Sequence, residues 1–504
     1  MDDFKTHNGD WRVAAYDSTV AAALEAAHQH GVYLIARLQD GRQRRFVAHN
    51  GRLELASTGR MMGLGVQVFS PSGHCGFAST DRVDPAEAAE AVRRAADLAH
   101  AAESAGAEPS LAVFALQAQV ERAVPYPAQR LAAVDPGQHR DVFLEAHRAA
   151  RGVAGDFSFR SSHSVLDEEW RIVRSDGTDV RYGTPRASAG HEFTSRGKRH
   201  TASASAVVTG ADASLLLEAE GFERFRRRAA QAVRRARDVA DAPGLPSGSY
   251  RVVLDHSMAK ALAHESFGHA VETDTAGFSI LASAGRLRIG ERVAPEHVSI
   301  VDESIPGDFA YQPISANGLP RQPVRIIDRG ILASGLGDIF SAAGAGSMDT
   351  GAARAHSFRS APLPRMSNIR LECEISYPLE DPDETLEPAD LALLLREAGL
   401  AADGQPTLLL AHMTGGQANP RLGDFVFNCS AIYELSAGAA PRRPAVLSGN
   451  SLSALSSIVA GVGGLRLDAA GLCGKGGQYV PTAGGSHAYL VLEPHPRVMI
   501  GASA

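Results

Sequence analysis

Two histidines and a glutamate crowd into the stretch "ALAHESFGHAVETD", Ala261 to Asp274. Imidazole nitrogens are good ligands for a borderline-soft divalent ion, and a hydrolytic site keeps three protein ligands and one open position. His264 and His269 supply two such ligands. Glu265, next to the first, is placed to take a proton from a water whose pKa a metal has lowered. The spacing is H-E-x-x-x-H, one residue longer than the usual H-E-x-x-H. At 3.6 residues per turn, four positions leave two side chains about 40° apart, whereas five leave them about 140° apart. A metal reading therefore requires a widened or broken turn, and Gly268 before His269 lowers the steric barrier to one. A buried helix whose histidines hydrogen-bond within the core fits the same letters.

A third ligand would decide between these readings. The cysteines are Cys75, Cys373, Cys429 and Cys473, too scattered for a disulfide framework. Cys473 lies in "GLCGKGGQYVPTAGG", a glycine-rich segment where backbone approaches closely and Lys475 can favour a thiolate. Cys75 in "GHCGFAS" is the second candidate by the same logic. Cys373 and Cys429 sit in strand-like runs and read as core. "GLCGKGGQ" lacks the G-x-x-x-x-G-K-[ST] pattern of a phosphate loop.

The elements that must position these residues follow from the hydrophobic pattern. A helix over about residues 18–29 leads into runs of strand character broken by Gly, Asp and Asn turns, a small antiparallel sheet. Asp84-Pro85 with Glu87 opens an alanine-rich helix to about Ala102. A middle segment ends in "GFERFRRRAAQAVRRARDVADA", whose Phe222, Phe225, Ala229, Val233 and Ala236 form one stripe. Its interspersed acids and apolar stripe favour a solvated face on a core over a nucleic-acid surface. "APGLPSGSY" is a domain boundary, and beyond it the chain is strand-rich, interrupted by one helix that carries His264 and His269. The expected division is 1–105, an N-terminal α/β subdomain; 106–242, a middle α/β segment; and 243–504, a C-terminal domain.

With 504 residues, 44% hydrophobic and 21% charged, the chain builds a core without staples. A net charge of -7 exerts no overall pull toward nucleic acid or an anionic membrane. The polar start "MDDFKTHNGDW" and the lack of a long apolar run lead us to expect a cytoplasmic protein.

"HESFGHAVETD" followed far downstream by "GLCGKGGQYVPTAGG" resembles the TldD/PmbA family of metalloproteases. "GLGVQVFSPSGHCGFASTD", "GAARAHSFRSAPLPRMSN" and "TGGQANPRLGDFVFN" fit the family order. The resemblance implies an α+β fold, with an N-terminal α/β region of small antiparallel sheets and covering helices. The C-terminal domain is then a mostly β partial barrel carrying the metal-site helix. It also implies Zn2+ held by His264, His269 and Cys473 with Glu265 as catalytic base, cleavage of unfolded peptides, and a homodimer or a heterodimer with a metal-free paralogue. This chain resembles the TldD-type catalytic subunit. Glu272 and Asp274 match the acidic residues behind the second histidine, and with Gly268, Lys475 and Arg354 they complete the candidates for supporting a ligand or touching substrate. The chain departs from the family at "SANGLP", Ser315 to Pro320, and at Ala431 in "NCSAIY". Those departures open a second reading, an amide or N-acyl hydrolase acting on an intermediate of antibiotic biosynthesis. A third, a non-catalytic partner with a structural metal, would need a fourth protein ligand, and the sequence offers none that is obvious.

Overall fold

The computed structural model describes residues 11–119, 122–124, 130–196, 201–379, 386–401 and 404–501. Most of "MDDFKTHNGDW" lies outside them.

The N-terminal half is organised by a long hairpin, β1 (Tyr33–His49) and β2 (Arg52–Phe69). Asn50-Gly51 joins them with φ of 45° and 90°, the two positive values that a tight hairpin turn demands and that this residue pair tolerates best. β3 (Cys75–Thr80) pairs with β2, and on the other side β1 pairs antiparallel with β4 (Ser158–Arg174). β5 (Asp179–Gly183), β6 (Arg186–Arg196) and β7 (Thr201–Gly210) extend an eight-stranded sheet drawn from both sides of residue 105. α1 (Asp17–Gln29) and α2 (Pro85–Ser104) cover one part of it. Asp84 caps α2 by accepting from the Glu87 amide, and Pro85 occupies the first turn where no amide is needed.

α3 (Pro136–Ala154) and α4 (Ala219–Val239) pack on the strands of the middle segment. α4 buries Phe225, Ala229, Val233, Ala236 and Val239, while its arginines meet protein partners: Arg226 pairs with Glu223, Arg234 with Glu387 and Arg228 with Asp468.

The C-terminal half is a fourteen-stranded mixed sheet that does not close among the described residues. Its strands begin with β8 (Arg251–Asp255), β9 (Val298–Glu303), β10 (Val324–Asp328), β11 (Asn368–Cys373) and β12 (Thr407–Ala418), and central β8 runs parallel to β12. They are followed by β13 (Asp424–Glu434), β14 (Val446–Asn450), β15 (Ile458–Arg466), β16 (Gly471–Lys475), β17 (Gln478–Leu492) and β18 (Val498–Gly501). β17 borders β8 antiparallel and also carries β16 and β15. The helix expected after β8 is present, but it is not alone in this half. Pro388–Glu397 and Ser451–Ser456 are also helical, the first opened by a proline and the second capped by Asn450. Their short apolar patterns are not distinguishable from strand at that length.

A buried histidine relay ties α3 to β4 and β6. The Arg44 guanidinium donates to His139 Nδ1 (3.2 Å), His139 Nε2 lies 2.6 Å from His163 Nε2, and His163 Nδ1 donates to the Ser188 carbonyl at 2.9 Å. Only one set of tautomers satisfies this chain, with both rings neutral. An added proton would set donor against donor. Burial first, then the neighbouring cationic and imidazole groups, push His139 down to about 3, and burial pushes His163 down to about 4. The folded values lie below the ordinary one near 6.5, so the stability these rings contribute is complete above about pH 6.5 and is lost as pH falls toward 4. The thermal midpoint should therefore fall between pH 7 and pH 5, as stability is lost at on the order of 1 kcal/mol per pH unit per ring. Calorimetry of the double variant His139→Asn, His163→Asn should show a flatter dependence on pH.

Candidate metal centre

The site helix begins where the central strand ends. Asp255 leaves β8 and caps the helix, accepting from the amides of Ser257 (3.1 Å) and Met258 (2.9 Å), while its other oxygen accepts from the His412 amide at 2.6 Å. One ordinary turn follows, α5 (His256–Ala261), and then the helix widens into a π-helix over Leu262–Gly268. This is the opened turn that the H-E-x-x-x-H spacing requires. Gly268 itself has ordinary helical angles, φ −56° and ψ −55°. Its missing side chain serves packing instead, because a Cβ there would stand 1.8 Å from Met366 Sδ.

With the turn opened, His264 and His269 meet at an inter-ring distance of 5.1 Å and 84°. Cys473 reaches them from β16, with Sγ 3.0 Å from His264 Nε2 and 3.3 Å from His269 Nε2. The three donor atoms lie within 4.8 Å of one another, and no other such His, Cys, Asp and Glu group occurs among the described residues. Each imidazole is fixed through its far nitrogen. His269 Nδ1 donates to Glu272 (2.8 Å), which is wholly buried. His264 Nδ1 donates to Thr482 Oγ1 (3.4 Å), whose own proton goes to the Ser367 carbonyl at 3.0 Å. Both Nε2 atoms therefore turn toward the sulfur, so two nitrogens and a thiolate face a common point. This donor set suits a borderline-soft divalent ion, and the residues fit a metal.

The electrostatics favour a neutral His264 and an ionised Cys473, whereas His269 is held protonated by its neighbours and would release that proton to ligate an ion. Burial, then nearby Lys260 and His269, hold the His264 imidazolium form well below its usual range, so its ring is neutral. Burial opposes the charged form of His269, but Glu272 and Cys473 outweigh it and raise this ring to about 10. Burial also works against the Cys473 thiolate, yet its bond with His269 and the charges of His269 and Arg365 draw the thiol below its ordinary value. Glu265 stands beside the cluster, half-buried, with carboxylate oxygens 4.0 Å from each Nε2. Burial raises its pKa.

Several expectations are altered in detail. Lys475 directs its ammonium to Glu272 (2.8 Å) and Asp274 (2.6 Å) rather than to the sulfur. Asp274 thereby holds the lysine that helps neutralise Glu272. The cation beside Cys473 is Arg365, fully buried, which donates to the Cys473 carbonyl and faces Glu272 at 3.8 Å. Arg354 does not touch the cluster: it donates to Gln312 and to the carbonyls of Met366 and Pro481, bracing the segments behind it. Cys75 lies in the N-terminal sheet against Gln67, away from the cluster, whereas Cys373 and Cys429 are core residues. The "SANGLP" loop docks on the N-terminal sheet, with Ala316 and Asn317 accepting from Arg37 and Asn317 also from Arg174. Thr482 and Arg365 carry no sequence signal of their own; only the fold brings them here.

Comparison with known proteins gives matches over much of the chain. The model described as "PmbA/TldA metallopeptidase C-terminal domain" matches residues 247–483, and "PmbA/TldA metallopeptidase domain 1" matches residues 36–99. A protein named Metalloprotease from Methanothermobacter thermautotrophicus is 26% identical over 92% of this chain and 94% of its own length. A Zinc metalloprotease TldD homolog from Saccharolobus solfataricus is 28% identical, with 48% of this chain aligned to 50% of the relative. The crystal structure of TldE from Thermococcus kodakarensis shares the fold at a TM-score of 0.71 and 15% identity, over 96% of this chain and 100% of that one.

The geometry assigns different weights to the supporting residues. Replacing Glu272 with Gln keeps shape but removes the acceptor charge that orients His269, and such partners typically change metal affinity about 10–100-fold. Zinc titration with a competing chelator should show a loss in that range for Glu272→Gln and a smaller one for Thr482→Val, with Arg354→Gln altering thermal stability more than affinity.

Proposed function

The chain belongs to the TldD/PmbA metallopeptidase family, and we propose that it is a metal-bearing member that hydrolyses amide bonds in unfolded peptides or peptide-like substrates. The observation that carries this reading is the convergence of His264, His269 and Cys473 with Glu265 alongside. The ligand set, two imidazoles and one thiolate, favours zinc, and a relative bears that name. A divalent ion held by these three residues would supply a Lewis acid that acidifies a water and polarises the amide carbonyl.

The remaining chemistry belongs to the chain. Glu265, at 4.0 Å from both imidazoles, accepts the proton of the attacking water. It then returns that proton to the leaving nitrogen as the C–N bond breaks, so that water contributes hydroxyl to the acyl carbon and hydrogen to the amine. His264 and His269 are kept in one orientation by Thr482 and Glu272, so little reorganisation accompanies the reaction. The three-ligand set argues for catalysis over a closed structural site, which takes four protein ligands. Ala316 and Asn317 of "SANGLP" are engaged by Arg37 and Arg174, so this departure from the family bears on how the halves dock, and an amide or N-acyl bond in an antibiotic-pathway intermediate is a second substrate class for the same chemistry. As for partners, pairing with a second, related chain is the arrangement we propose, either an identical copy or a TldE-like paralogue.

No helix of the described residues is long and apolar enough to cross a membrane.

Glu265→Gln should retain stoichiometric metal by elemental analysis and lose about 10²–10⁴-fold in the hydrolysis of an unstructured peptide. Full activity in that variant would overturn the assignment. Cys473→Ala should lose the metal itself.

A further inference from the structure

A cavity of about 260 Å³ opens beside the first turn of the metal-site helix, walled there by Asp255, His256, Ser257 and Lys260. Its walls carry four cationic side chains, Lys260, Arg228, Arg235 and Arg466, against two carboxylates, Asp255 and Asp468. Both carboxylates are already engaged. Asp255 caps the helix and receives the His412 amide. Asp468 accepts from Arg228 and lies 3.3 Å from His256 Nε2, which together hold its carboxyl far below the usual range despite burial. Lys260, partly buried, forms no hydrogen bond or ion pair with any described residue. The cavity therefore has an excess of positive charge and an ammonium without an acceptor.

Its position relative to the metal centre is informative. Lys260 precedes His264 by four residues, one helical turn or about 6 Å along the axis, and Glu265 and Cys473 both lie within its electrostatic reach. Ala469 and Ala470, in the cavity wall, lead into β16 and Cys473. A larger cavity of about 600 Å³, lined by Phe309, Leu472 and Tyr479, meets the first at Val207 and Ala470 on the other side. The smaller volume is below the roughly 300 Å³ at which pockets for drug-sized ligands begin, so it suits a single terminal residue and not a continuing chain.

We propose that the cavity beside α5 is a carboxylate subsite, in which the Lys260 ammonium receives the free C-terminal carboxylate of a peptide-like substrate. This rests on the hydrolase reading above and gives it a direction: the enzyme releases residues from carboxyl ends. The leaving amine belongs to the terminal residue, whose carboxylate stays on Lys260.

The test measures binding separately from turnover, using the full-length protein, an acetyl-dipeptide acid and the corresponding amide. Calorimetry should show the acid binding at least tenfold more tightly than the amide to the wild type, a ratio near one in Lys260→Met, and most of the preference kept in Lys260→Arg. Equal binding of acid and amide to the wild type would overturn the proposal, as would an acid preference that survives in Lys260→Met or inorganic phosphate binding more tightly than the acid. The acid-to-amide comparison on the wild type stands even if a variant fails to fold. With longer peptides, mass spectrometry should show stepwise loss from the carboxyl end, and cleavage confined to internal bonds would contradict it. If no peptide is cut at all, the hydrolase reading fails while the binding ratio still decides whether the subsite exists.

Discussion

One extra residue in one helical turn holds the site together. A regular helix would turn His264 and His269 about 140° apart, away from a shared ion. The π-helix over Leu262–Gly268 removes it, and such a turn has poorer hydrogen-bond geometry than the α-helix it interrupts. It persists because the surrounding structure leaves it little alternative. Asp255 anchors the helix start to the central strand, whose first four residues are buried, Phe267 and Leu262 are locked in the core, and Gly268 is closed over by Met366. Relaxing the turn would have to move all three.

The positive charges around the cluster do a related task. Arg365 and Lys475 neutralise Glu272, which otherwise would be a buried carboxylate in a low-dielectric site. Glu272 can then orient His269 without drawing its own proton, and the burial that raises its pKa is outweighed by His269 and Lys475. The order of dependence runs outward: metal-facing nitrogen, carboxylate behind it, cations behind that. Removing an outer member is felt at the ligand through charge rather than through contact.

Much of this could be read from the residues. The opened turn was legible in the H-E-x-x-x-H spacing, whereas Cys473 stood beside Cys75 as a candidate until the family resemblance chose it. The caps at Asp84 and the apolar stripe of α4 follow from local rules. What could not be read was anything set by distant segments meeting. Thr482 is an ordinary strand threonine until β17 passes His264, and Arg365 is one arginine among many until it is buried beside Cys473. Lys475 lies two residues from the cysteine, yet its ammonium goes to Glu272 and Asp274, partners that only the fold brings within reach. The two helices at Pro388 and Ser451 were hidden among strands for want of length.

The docking of "SANGLP" has a consequence for how the molecule comes apart. Arg37 and Arg174, in the first half, are fully buried, and the carbonyls of Ala316 and Asn317 that satisfy them belong to the second. Separation of the halves would break these bonds and expose an apolar cluster in which Ile35, Phe69 and Trp170 pack with Ile314 and Ile339. The halves are thus a single cooperative unit, in which the first to loosen takes the other with it. A protease nick or a truncation between them would yield two unstable fragments rather than two modules.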